Sequence, residues 1–204
     1  MFCNIIVVSG NCFNYIKAGN LNIKLLIPYL VGSIPLAFIG GSLEIDKNLF
    51  EIFLFIVLGI AGTLLLLNFK SYDDNESSYR KIPILISILI GGILGFVSGV
   101  VGIGGGIFLS PILFLIKAAR PKHIVTAASL FILINSISGV FGQLTKNIVL
   151  SDISNYWYLF LIVIIGGHIG NFLNLKIFPT RLLALVTSGL VLFVAIRMGI
   201  KLFL

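Results

Sequence analysis

Polar and apolar positions along this 204-residue chain are sorted into blocks rather than interleaved. Apolar blocks occupy residues 25–43, 49–68, 82–116, 124–144, 155–175 and 182–196, with short polar connections between them. Most approach or exceed the roughly 18 residues that suggest a bilayer crossing, so the pattern predicts membrane-spanning helices. Residues 1–16 form a weaker block, made more polar by Asn4, Asn11 and Asn14. It lacks the basic start and small-residue cleavage site of a signal peptide and reads as part of the mature chain. One stretch looks water-exposed: KSYDDNESSYRK, residues 70–81, holds three of the seven acids.

Composition agrees with the pattern. The chain is 58% hydrophobic and 10% charged, with a mean hydropathy of +1.15. That is more apolar surface than a water-soluble core of this size can hide. The expected fold class is all-α, a polytopic transmembrane helix bundle whose solvent is the lipid bilayer. A net charge of +7 might point to nucleic acid, but the 14 basic residues are scattered through connections and form no basic face. Cys3 and Cys12 have no metal-ligand spacing and read as small buried apolar residues.

The uncharged run 82–116 decides the topology. Its 35 residues would make a helix about 50 Å long against a hydrocarbon core near 30 Å, so it must break, tilt or turn back. If it turns back, ten basic residues gather on one side (Lys17, Lys24, Lys70, Arg80, Lys81, Lys117, Arg120, Lys122, Lys176 and Arg181). Only Lys47, Lys146, Arg197 and Lys201 remain on the other. A single crossing gives a flatter split of eight to six. The positive-inside rule favours the hairpin-like arrangement, with the basic-rich side in the cytoplasm. Tyr156, Trp157 and Tyr158 open the next-to-last span, where amphipathic rings suit the headgroup zone.

Within that run lies GVVGIGGGIFLSP. Gly102, Gly104, Gly105 and Gly106 let the backbone leave helical geometry, and Pro111 removes a donor and a helical hydrogen bond. Broken backbone at membrane depth is tolerated where it is buried in protein or lines a wet cavity, so the break marks an internal site or pathway. Exposed N–H groups at a half-helix start suit a small anion. Gly91, Gly95 and Gly99 read separately as a close-packing face. The glycine spacing, GxxGxG without a following acid, excludes a dinucleotide site. On a helical wheel of the next span, Leu130, Ile134, Ile137 and Phe141 cluster toward lipid. Thr126, Ser129, Asn135, Ser136, Gly139 and Gly142 spread over the opposite half. Facing the break, the hydroxyls and the Asn135 amide are neutral ligands for an anion.

The chain also looks duplicated. SGNCFNYIKAGNLNIK from Ser9 is similar to SGVFGQLTKNIVLSD from Ser138, and each precedes two glycine-bearing apolar segments. In the hairpin topology the copies insert with opposite orientation. Residues 1–69 are then a partial first repeat, 70–81 an exposed loop, and 82–204 a second repeat carrying the glycine-rich break. The first copy has no break of its own.

GFVSGVVGIGGGIFLSPILFL followed by AASLFILINSISGVFG resembles the sulfite exporter TauE/SafE family of membrane transporters. The resemblance covers residues 82–204 most strongly and the first 70 residues as the tail of the first repeat. It implies a multi-pass carrier in the inner cell membrane for small anions such as sulfite, sulfoacetate or related organosulfonates. The family signature falls on Gly102, Gly104, Gly105, Gly106 and Pro111, with Ser129 and Asn135 in the next helix. The family's first glycine-rich signature has no counterpart here, which leaves a truncated or non-transporting membrane subunit as the alternative reading. A second copy of the chain, as a homo-oligomer, is one way to complete it, although no residue pattern demands a dimer.

His168, in IIGGHIGNF, is the one ionisable group well inside a span and so a candidate for proton coupling. His123, beside Lys122, reads as a loop residue. The acids sit in or beside connections, without paired carboxylates in a span or an HExxH or GxSxG pattern, so no catalytic set emerges and no cofactor or metal is expected.

Overall fold

The computed structural model describes residues 1–68, 82–145, 161–167, 169–170 and 180–203, and every regular element among them is an α-helix. In chain order these are α1 (Phe2–Lys17), α2 (Ile23–Ser42), α3 (Lys47–Asn68), α4 (Ile84–Val101), α5 (Gly106–Leu115), α6 (Pro121–Leu144) and α7 (Thr180–Phe203). Residues 161–167 and 169–170 are helical as well. Among the described residues, Ile23–Ser42, Asn48–Leu67, Ile84–Val101 and Lys122–Leu144 are long and apolar enough to cross a membrane. The expected all-α architecture is therefore the one observed. The 70–81 stretch, Tyr156 to Tyr158 and His168 lie outside the described residues.

Helix is the only single-segment way to pair every backbone group where water is absent, and local residues then set where each helix starts. The Asn22 side chain accepts a hydrogen bond from the Leu25 N–H at 3.2 Å, capping α2. Asn22 thus decides where the chain turns into the membrane after the short link from α1.

Three helices form a seam of backbone against backbone. A Cβ built on Gly91, Gly95 or Gly99 of α4 would collide with Tyr29, Ser33 or Ala37 of α2 respectively. Residue numbers rise together along both helices, so α2 and α4 run parallel. The same holds for α2 and α6: the Ser138 hydroxyl donates to the Ile34 carbonyl at 2.7 Å, and Gly142 abuts Phe38. Lipid supplies no hydrophobic drive between helices, so small residues that bring backbones together supply dispersion contact instead. The close-packing face expected at Gly91, Gly95 and Gly99 is present.

Two other pairs run antiparallel. Along α3 and α7, Gly62 meets Leu192, Phe55 meets Gly199, and the Lys201 ammonium donates to the Glu51 carboxylate at 2.7 Å. Along α1 and α6, the Met1 side chain lies against Gly139, while the Asn20 carbonyl sits 2.8 Å from His123 Nδ1. His123 is thus in the first turn of α6 and not in a loop, because Pro121 starts the helix two residues earlier. The starts of α2, α4 and α6 share one end of the bundle; Glu51 and Lys201 lie at the other.

The core is centred on α5. Phe108, Leu109, Pro111, Leu113 and Phe114 of this short helix are buried, packed with Tyr29, Ala61 and Phe131. The outer surface is apolar, as a lipid-facing surface must be: Val31 is 57% exposed and Phe141 60%. On α6, Ile137 and Phe141 are exposed as the helical wheel anticipates, whereas Leu130 and Ile134 are half-buried. Leu130 packs onto the core cluster, and Ile134 lines a groove beside α2.

Candidate functional site

Helix α4 ends because three of four consecutive residues take left-handed backbone angles. Gly102, Gly104 and Gly105 have φ of +81°, +82° and +71°. Such angles cost an L-residue with a side chain about 1–2 kcal/mol each, so glycine is required where they cluster. The Gly102 N–H closes α4 by donating to the Ser98 carbonyl at 2.8 Å, and the Gly106 N–H donates to the Gly104 carbonyl at 2.9 Å. The Leu109 N–H then reaches the Gly105 carbonyl at 3.3 Å, opening α5. Among the described residues, no hydrogen bond starts from the N–H of Ile103, Gly104 or Gly105.

The chain turns back at this break. Gly104 faces Ile132 and Ser136, and Gly106 faces Ala128 and Ile132. Ser110 lies with Val125 and Ser129 along one groove. Numbers rise on α5 as they fall on α6, so α5 returns toward the end where α6 begins. Its ten residues span about 15 Å, half the hydrocarbon thickness. Pro111 does not make the break. It is buried inside α5, which continues through it to Leu115, so the glycines alone interrupt the helix.

Polar side chains without protein partners gather here. A Cβ on Gly104 would lie 2.9 Å from Ser136 Oγ, and one on Gly105 would lie 3.1 Å from the Ser98 Cβ. Both serine hydroxyls are buried and, among the described residues, unpartnered. Serine and threonine in helices commonly return their proton to a carbonyl one turn back. Thr126 does so to Lys122 at 2.7 Å and Ser129 to Val125 at 2.9 Å; Ser98 and Ser136 do not. Asn135, next to Ser136, donates from Nδ2 to the Phe131 carbonyl at 2.8 Å and leaves Oδ1 buried without a donor. A buried unpaired polar group costs about 1–3 kcal/mol, so two such hydroxyls at one helix break call for an explanation beyond stability.

Beside the break, a groove of about 370 Å³ runs between α1, α5 and α6, with Asn4, Ser110 and Ser129 as its polar lining. Asn4 Nδ2 donates to the Ile103 carbonyl at 3.1 Å, tying α1 to the break.

The residues singled out in the sequence therefore divide. Gly104, Gly105, Gly106 and Ser136 adjoin one another at the break; Gly102 caps α4; Ser129 lines the groove; Pro111 belongs to the core. His168 falls outside the described residues. Ser98, Ser110 and Asn4 escaped the sequence reading as site residues. Ser98 had a signal, since it stands one turn before Gly102 and two before Gly105 on a shared face. No cluster of His, Cys, Asp or Glu able to hold a metal occurs among the described residues. The arrangement is one of hydrogen-bond donors without a fixed charge: unpaired N–H groups at the start of a half-length helix, and two hydroxyls free to donate. It suits a small anion held without a counter-ion.

A family model described as Sulfite exporter TauE/SafE matches residues 1–198. The chain is 23% identical over 190 residues to the probable membrane transporter protein y4hK of Sinorhizobium fredii, covering 93% of this chain and 76% of that protein. It is 30% identical over 203 residues to the probable membrane transporter protein MJ0441 of Methanocaldococcus jannaschii, covering 92% and 72% respectively. Similarity to the probable membrane transporter protein YunE of Bacillus subtilis is 23% over 200 residues, covering 87% and 71%. No solved structure matches the chain.

Proposed function

The chain belongs to the sulfite exporter TauE/SafE family, a family of multi-pass membrane transporters, and from that premise we propose that it carries a small anion past the glycine break. The substrate class is sulfite, an organosulfonate or a related sulfur-containing or carboxylate anion. One observation carries this reading: the Ser98 and Ser136 hydroxyls, buried and unpartnered, adjoin Gly104 and Gly105, whose N–H groups are also unpaired. A substrate that accepts these hydrogen bonds removes their burial cost while bound, which favours its binding at the break.

Two inverted copies form the frame of the proposal. Ser9 and Ser138, which align the copies, are 129 positions apart. The same offset carries Gly62 to Val191, beside Leu192, where α3 touches α7. Both antiparallel pairs, α1 with α6 and α3 with α7, join corresponding parts of the two copies. Such pairing is what a two-fold axis in the membrane plane would produce.

The test is flux in proteoliposomes with sulfite, methanesulfonate and acetate as separate probes. Wild-type protein moves at least one of them, and Gly104→Leu abolishes that movement while the protein still inserts. Inserted wild-type protein without flux for any of the three would support a non-transporting subunit instead. Unchanged flux in Gly104→Leu would remove the break from the pathway.

A further inference from the structure

We infer that Asn4 is a positioning residue that aims the Gly104 N–H into the site from a helix 99 residues away in sequence. The inference rests on the anion-carrier reading and adds to it how the site's backbone donors are held. Between Ile103 and Gly104 the peptide is trans, and in a planar trans peptide the carbonyl of one residue and the N–H of the next point in opposite directions. Asn4 Nδ2 donates to that carbonyl at 3.1 Å. With the carbonyl held toward α1, the Gly104 N–H is held away from α1.

This contact matters because little else fixes that peptide. Gly104 has φ of +82° between two other left-handed glycines, and glycine crosses between positive and negative φ without steric cost. Among the described residues, neither the Ile103 nor the Gly104 N–H has a hydrogen-bond partner. A turn of the peptide by half a revolution would present the carbonyl oxygen where the N–H had been, replacing a donor with an acceptor that repels an anion. Asn4 opposes that turn because its amide donates to the carbonyl in one orientation only. Asn4 also lines the 370 Å³ groove, whose described lining includes Ile103 and Gly106 but neither Ser98 nor Ser136.

Asn4→Asp, Asn4→Leu and Asn4→Gln are compared with wild type in proteoliposomes, using whichever of sulfite, methanesulfonate or acetate the wild type carries. Asn4→Asp keeps the side-chain shape but removes the amide donor; Asn4→Gln keeps the donor. Asn4→Asp and Asn4→Leu raise KM about tenfold with maximal flux within about twofold, the loss expected for one hydrogen bond to an ion. Asn4→Gln stays within about threefold of wild type. Wild-type KM in Asn4→Asp overturns the positioning role and leaves the carrier reading standing. Equal loss of maximal flux in all three variants, with KM unchanged, also overturns it, by assigning Asn4 to helix packing alone. If wild type carries none of the probes, the carrier reading fails and this inference with it.

Discussion

Gly95 on α4 and Ser33 on α2 meet backbone to backbone: a Cβ on Gly95 would lie 2.5 Å from the Cα of Ser33. Nothing at that contact is a side chain able to swing aside. Gly59 on α3 is the opposite case, with open space where its Cβ would go.

These two glycines should respond in opposite directions to alanine. Gly95→Ala forces α2 and α4 apart and is expected to destabilise the bundle by at least about 2 kcal/mol. Gly59→Ala relieves helix-interior glycine entropy and should stabilise by about 0.5–1 kcal/mol. Unfolding of the purified protein in mixed micelles, titrated with a denaturing detergent, measures both. A neutral Gly95→Ala would refute the seam.

Alanine at the serines separates function from stability. Ser98→Ala and Ser136→Ala each delete a buried hydroxyl without a protein partner, so stability holds or rises by about 1 kcal/mol. The KM for the carried anion should nevertheless rise, about tenfold for each. Thr63→Ala is the control, because the Thr63 hydroxyl is already bonded to the Gly59 and Ile60 carbonyls at 2.9 Å. Wild-type KM in both serine variants would place the substrate elsewhere.

The helix directions predict sidedness. On a background lacking Cys3 and Cys12, single cysteines at Lys24 and Lys122 should label with an impermeant maleimide from one face of sealed vesicles. A cysteine at Lys201 should label from the other face. The basis is the contact of His123 with Asn20 at one end and of Lys201 with Glu51 at the opposite end. Labelling of Lys24 and Lys201 positions from the same face would be incompatible with this fold.

The spans and the break were legible because lipid imposes them. A bilayer demands long uncharged helices, and Gly102, Gly104 and Gly105 in a row of left-handed angles leave a mark that single-residue chemistry can read. The packing face at Gly91, Gly95 and Gly99 follows from spacing alone. Pro111 misled as a breaker because α5 absorbs it. Ser98 was hidden because a serine bonded to its own helix and a serine facing a site look identical in sequence; the unmade bond to the preceding turn distinguishes them. The bond from Asn4 to Ile103 joins partners too distant in sequence for any local pattern to reveal.

The seam of α2, α4 and α6 carries a mechanical consequence. Helices that touch through glycine backbones have no rotamers to exchange, so they cannot slide to a second arrangement by small steps. They behave as a keel. Relative motion then falls to contacts made by bendable side chains, such as Leu192 over Gly62 and Phe55 over Gly199.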